Sequence, residues 1–450
     1  MKKMMFGAGI MALSLLSAGV NAAVSPEEAA RLGQDLTPLG AERAGSADGR
    51  IPAWDGGLSR PGEDINRPQN PFADEQPLYT ITRENLDQHR ERLSPGQIAM
   101  FERYDTWRMN VYPTHRTAAY PDELYEVVRR NAENTTLVAG GSGLNNFENT
   151  IPFPIPSNGL EVIWNHLTRY RGGAVERFVG QFPVQANGRY EMVRLNEQLV
   201  WPEYLQEGRD PVADDNVLFY FLQQVLAPAR LTGTVLLVHD TIDQVKEGRR
   251  AWIYNAGQRR VRRAPNVAYD GPGTASDGLR TSDGLDMFNG SPDKYNWELV
   301  GKKEMYIPYN NYAMMSTDLQ YSDILHAGHI NPEHTRYELH RVWVVEATLK
   351  DGERHIYAKR NFFIDEDTWT AAVIDHYDGR GDLWRVGEAY MAQFYGHDVP
   401  WMAAEALYDL NNGRYVALGL ANEEETYMNF DLEASRSDYT TQALRRLGIR

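Results

Sequence analysis

The sequence contains no cysteine. That excludes disulfides, cysteine-ligated metal, a thiol nucleophile and lipidation of a cysteine behind a signal peptide. After one apolar run near the start, residues 4–16, no second stretch is long enough to cross a bilayer. Basic residues are in deficit, with 46 Lys and Arg against 62 Asp and Glu and a formal charge of -16. Phosphate backbones demand a basic face, so nucleic acid is excluded as a partner, and docking on anionic headgroups is disfavoured. There is no P-loop, Rossmann glycine pattern, GxSxG elbow, HExxH helix or SxxK motif. Carboxylate pairs can always be found among 62 acids, so their presence identifies no glycosidase. No catalytic residue and no cofactor is therefore assigned.

What is present begins with an export signal. Lys2 and Lys3 precede the apolar run, and Val20-Asn21-Ala22 fits the small-x-small rule for cleavage after Ala22. Loss of those two lysines, with no acid beside them, takes the charge from -16 to -18. The expected location is the periplasm, without a membrane anchor. An aromatic content of 11%, with 25 Tyr and 10 Trp, suits wide sheets and an apolar cavity.

Four regions follow from the patterning: a signal at 1–22, an extended arm and helical region at 23–160, an antiparallel β domain at 161–420, and a tail with a short helix at 421–450. Residues 36–57 and 61–77 are rich in Pro, Gly, Asp and Asn, which favours turns over an independent core. Three- and four-residue apolar spacing predicts helices over 83–105 and 121–133. Beyond 160 the period becomes two. The runs 337–349, 354–364, 369–377 and 382–391, separated by KDG, DEDT and DGRG, predict adjacent antiparallel strands with one face buried and the other wet. Residues 440–448 predict a closing helix that ends at Gly448.

Few residues cluster as chemistry requires. His326, His329, His334 and His340 lie within fifteen residues, and the first three are weak metal candidates. Their spacing matches no familiar site, since Gly328 and Pro332 interrupt any helix, and loop histidines are the plainer reading. The loop 269–295 carries Asp270, Asp277, Asp283 and Asp286 among glycines, but without EF-hand order; an ordered loop over the sheet is expected. Asp365, Glu366 and Asp367 occupy a hairpin turn, where exposed acids are the default. Arg249, Arg250, Arg259, Arg260, Arg262 and Arg263 stand out in an acidic chain as a docking patch for an acidic partner, or as partners of its surplus carboxylates.

Several phrases together carry a resemblance: LTPLGAERAGSADGRIPAWDGG (36–57), VYPTHRTAAYP (111–121), GLEVIWNHLTRYRG (159–172), the long run 234–290, HIYAKRNFFIDEDTW (355–369) and TTQALRRLGIR (440–450). The chain resembles the family catalogued as domain of unknown function 1329, exported proteins of Gram-negative bacteria also labelled outer-membrane lipoprotein-sorting proteins. The resemblance implies a mainly β (α+β) fold, a half-open antiparallel β-barrel of LolA/LolB type with helices and a long N-terminal arm. It further implies a lipid-like ligand, and an RND-type inner-membrane transporter or an outer-membrane protein as partner. It supplies no catalytic residues.

The expected function is a periplasmic binding or shuttle protein for a hydrophobic ligand in envelope transport. An envelope glycan or lipid hydrolase and a non-catalytic docking partner are the alternatives. Alternation alone nominates Val235, Leu237, Trp252, Tyr254, Trp343, Val345, Tyr357 and Phe363 as cavity walls; a one-residue change of register would exchange each set for its neighbours. The arm, with Ile51, Pro52 and Trp54, is a rival occupant of the same cavity.

Overall fold

In the computed structural model, residues 23–63 and 66–448 are described; the expected signal peptide lies outside them. Thirteen of the sixteen strands in the main sheet form its ladder. The first six are β1 (Ala174–Val184), β2 (Val193–Val200), β3 (Val217–Ala227), β4 (Val235–Thr241), β5 (Arg250–Asn255) and β6 (Arg260–Arg263). The other seven are β7 (Tyr295–Pro308), β8 (Tyr337–Leu349), β9 (Lys359–Asp365), β10 (Ala371–Tyr377), β11 (Leu383–Phe394), β12 (Val399–Asp409) and β13 (Tyr415–Leu420). Each strand pairs antiparallel with the next in sequence, and β13 returns to pair with β1. One pairing is missing: β6 and β7, consecutive in the chain, lie at opposite ends of the ladder. The fold is thus a mainly β, up-and-down antiparallel sheet left open along that seam. A short ribbon, Tyr79–Ile81 with Met109–Val111, extends it through one parallel bridge to β8.

The four runs at 337–391 form β8–β11, adjacent and antiparallel as the alternation predicts. Their second face is not wet. Glu338 and His340 are 0% and 1% exposed, because Arg336 at 2.6 Å, the Asn310 amide and the His340 ring satisfy the Glu338 carboxylate inside the core. A covered strand needs partners for its polar groups, and here the preceding segments supply them.

Four helices of eight residues or more accompany the sheet: α1 (Pro95–Arg103), α2 (Asp122–Asn134), α3 (Gly159–Thr168) and α4 (Thr441–Gly448). The helix expected over 83–105 is broken into two 3-10 turns before α1. Leu93 is extended, and Ser94 caps α1 reciprocally with Gln97 at 3.0 and 3.1 Å, with Pro95 in the first helical position. No helix among the described residues is long and apolar enough to cross a membrane.

The arm runs over the turn between β9 and β10. Trp369 Nε1 donates to Leu39 O at 3.0 Å, Arg341 Nη1 to Ala44 O at 3.0 Å, and Trp54 Nε1 to Ala118 O at 3.1 Å. Helix α1 packs on β10 and β11 from outside, and α4 on β4, β5 and β6. The inner face carries α3 and the loop 264–294, which joins the two unpaired edge strands.

Candidate ligand-binding site

Two cross-strand rows define the inner face of β1–β5. One runs Arg177, Glu197, Gln223, Leu236, Ile253; the next runs Val175, Leu199, Phe221, Val238, Ala251. Residues directly opposite in a ladder share a face, so each row is a continuous band. Between these bands and the loop 264–294 lies a partly open hollow with a cavity volume of about 100 Å³. Val267 and Leu285 roof it, and no residue before Arg171 lines it. The N-terminal arm is therefore not its occupant.

The roof is tied down by the loop's own acids. Asp283 accepts from Arg360 at 2.6 Å and His355 at 3.0 Å; Asp286 pairs with Arg169 at 2.5 Å and with Arg171; Asp270 accepts from Ile356 N at 3.0 Å; Asp277 pairs with Arg414. Burial alone would raise the Asp283 and Asp286 carboxyls. The neighbouring cations outweigh it, holding Asp283 far below the ordinary range and Asp286 at about 2. Asp277, Asp283 and Asp286 are thus paired with arginines, and the loop is ordered over the sheet as the sequence predicts.

The hollow is graded. Toward β4 and β5 its walls are Leu236, Val238 and Ile253; toward β1 and β2 they are Arg177, Glu197 and the loop's Arg280. Arg177 pairs with Glu197 at 2.6 Å, and Gln223 Nε2 donates to the same carboxylate at 2.6 Å. Beside them, burial pushes the Glu405 carboxyl up to about 7; its Oε2 accepts from Met287 N at 2.7 Å while Oε1 has no partner. Such a surface can hold an amphiphile, apolar along most of its length and polar at one end.

None of the eight expected wall residues lines this hollow. Val235, Leu237 and Tyr254 are buried on the outer face, beneath α4 with Leu444, and Trp252 packs at the edge of that cluster. The hollow takes the alternate set, Leu236, Val238 and Ile253. Phe363 is also outward-facing, opposite Val344 and Val373. Trp343 and Val345 do lie on the inner face but in its filled half, where Trp343 stacks on Trp369 at 6.1 Å. Tyr357 is buried against His376 and Arg385.

The arginine patch divides. Arg249 is buried, paired with Asp240 at 2.7 Å and bonded to Asn289, so it leaves the surface. Arg250 is half-buried near Glu247, and Arg263 lies over the Trp252 ring. Arg259, Arg260 and Arg262 are exposed on or beside edge strand β6 without an ion-pair partner among the described residues. The histidines do not converge: His326 is exposed, His334 half-buried, and His329 is buried between Thr106 at 2.7 Å and Ile330 O at 2.8 Å. Among the described residues one group has metal-ligand proximity, His340 with Asp365 and Asp367. Arg116 already takes both Asp367 oxygens, at 2.9 and 2.6 Å. The turn's acids are buried, contrary to the exposure expected of a hairpin. Arg116 pairs with Asp367, Arg341 and Lys302 pair with Glu366, Asp365 accepts from Thr368, and the arm's Glu42 N donates to Glu366.

An uncharacterized protein of Pseudomonas aeruginosa, PA3922, is 60% identical over 452 residues, covering 100% of this chain and 99% of its own. Three solved structures align at lower identity. A domain from Vibrio parahaemolyticus named for outer-membrane lipoprotein sorting is 15% identical over 64% of this chain and 98% of its own, at a TM-score of 0.44. A family protein from Desulfovibrio piger is 15% identical over 60% and 91%, at 0.40. A LolA superfamily protein from Nitrosomonas europaea is 12% identical over 64% and 100%, at 0.38. Residues 80–445 match the model of the family described as protein of unknown function (DUF1329), and to that family this chain belongs.

Proposed function

We propose that this protein is a periplasmic binding or shuttle protein for a hydrophobic, lipid-like ligand, which it holds between the inner face of β1–β5 and the loop 264–294. The observation that supports the reading is the hollow itself, with Leu236, Val238, Ile253, Val267 and Leu285 as apolar lining and charged groups at its other end. Burying a ligand there removes apolar surface from water at about 25 cal/mol per Å², which needs no chemistry. The N-terminal pattern, with cleavage after Ala22, supports export. The three exposed arginines at β6 favour an acidic protein as docking partner, and a membrane transporter or outer-membrane protein fits that role.

The test is native purification without detergent, followed by mass spectrometry of extracted lipids and titration with a fluorescent fatty acid. Co-purifying lipid and saturable probe uptake are expected. Well-folded protein that carries no lipid and ignores every acyl probe would sink the reading in favour of the docking partner.

A further inference from the structure

Four guanidinium groups reach the hollow: Arg171, Arg177, Arg249 and Arg280. Three are matched to carboxylates, Arg171 to Asp286, Arg177 to Glu197 and Arg249 to Asp240. Arg280 is not. It is 5% exposed, has no carboxylate within 4.0 Å among the described residues, and its side chain makes one hydrogen bond among them, from Nη2 to Gln181 Oε1 at 3.1 Å. Its Nε has no hydrogen-bond partner. A buried cation ordinarily has its counter-charge supplied by the fold. Of the four guanidinium groups that line the hollow, Arg280 alone lacks a carboxylate partner among the described residues.

The loop is built to hold Arg280 there. Gly273 N donates to Arg280 O at 2.9 Å, and Ser276 Oγ bonds both Gly273 O and Arg280 O, closing a tight hairpin. A Cβ at Gly273 would stand 3.2 Å from Arg280 Cζ, so the glycine lets backbone lie against the guanidinium. The acid that acts on it most strongly, Glu405, is drawn toward neutrality by its own burial and accepts from the Met287 amide instead.

We infer that Arg280 is the anchor for a ligand anion: the ligand is a single-chain amphiphile with one acidic head, a carboxylate or a phosphate monoester, bound head inward with its chain along Leu236 and Ile253 toward the open seam. A guanidinium suits both head groups, because its planar fork donates two parallel bonds to either. This rests on the functional reading above and adds the charge and orientation of the ligand to it.

Competition against one fluorescent fatty acid separates the two claims, with hexadecanoate, hexadecyl phosphate and hexadecanol as competitors of equal chain length. Wild type is expected to bind at least one acid at least tenfold more tightly than the alcohol, and which acid wins names the head group. Arg280→Gln should remove that preference, weakening the acid tenfold or more and the alcohol less than twofold, while Arg280→Lys retains part of it. Equal affinity of wild type for acids and alcohol overturns the anchor and leaves the lipid-binding reading standing. Equal loss for all three competitors in Arg280→Gln makes Arg280 structural and also overturns it. Wild type that binds none of them overturns both. If Arg280→Gln does not fold, the wild-type acid-to-alcohol ratio alone decides.

Discussion

The inner face of this sheet has two halves, made of similar strands and put to different use. Over β8–β12 the chain fills its own interior. His166 of α3 accepts from Ala371 N at Nδ1 and donates from Nε2 to Phe288 O, Phe288 packs on Phe362 and Trp297, and Val345, Phe362 and Ile374 are almost wholly buried. Over β1–β5 the same face mixes apolar residues with Arg177, Glu197 and Gln223, and Phe221, Leu236 and Ile253 line a hollow. The filled half completes its packing among the described residues. In the other half the same face meets the loop 264–294 across that hollow.

The largest effect expected contrasts two neighbours on β4. Val235→Arg, beneath α4, should abolish folding, since a fully buried site offers the charge neither partner nor water, at a cost above about 4 kcal/mol. Leu236→Arg, one residue on and facing the hollow, should fold and lose probe uptake, because its long side chain can reach solvent. Circular dichroism and probe titration of both variants check this; equal unfolding would erase the distinction between the faces.

Next come truncations of matched chemistry in the two halves. Phe362→Ala should lower stability by about 3–5 kcal/mol in urea denaturation, as for a packed core aromatic. Phe221→Ala should cost about 1–2 kcal/mol and act mainly on ligand affinity. Ligand removal sharpens the same point: at a probe concentration of one hundred times Kd, stability should rise by about 2.7 kcal/mol. Hydrogen exchange should place that protection in β1–β5 and 264–294 rather than in β8–β12.

The smallest effect is the response to pH. On the outer face of β10 and β11, beneath α1, burial raises Asp375 and Glu388 each to about 7, above their ordinary values. The folded state then binds protons that the unfolded state has released. Their contribution is whole below about pH 4 and is lost as pH rises through 7. Asp375→Asn and Glu388→Gln should flatten the fall in Tm between pH 5 and 8, by on the order of 1 kcal/mol each. Asp286, over the hollow, has the opposite sign: its carboxyl lies at about 2, so what it contributes is present at neutral pH and lost as pH falls through 2. Proteolysis of the loop at pH 2 to 4 reads that loss separately.

How much of this the sequence reveals depends on the kind of order involved. The meander β8–β11 is legible because period-two alternation and charged turns are local. The cyclic strand order follows from the same short turns. Alternation sorts residues into two sets without saying which set faces inward. Val235, Leu237, Trp252 and Tyr254 were the more aromatic set and looked like cavity walls, but α4 claims them. Ala443, Leu444 and Leu447 on that helix form a stripe that needed a partner, which is the signal that could have settled the choice. Nothing local marks Arg280, whose distinction is the absence of a carboxylate brought near only by folding. Likewise Asp365–Asp367 looks like any exposed turn until Arg116 and the arm, some 250 residues upstream, close over it.

The missing pairing between β6 and β7 has a mechanical meaning. In a closed barrel the bore is set by strand number and stagger, and no chain can dilate it without breaking ladder bonds. This sheet is a slit ring. Its two lips can part or approach while every inter-strand hydrogen bond stays intact, resisted by side chains and by the loop that straps one lip to the other. Its girth is therefore set by contacts along the strap rather than by the ladder.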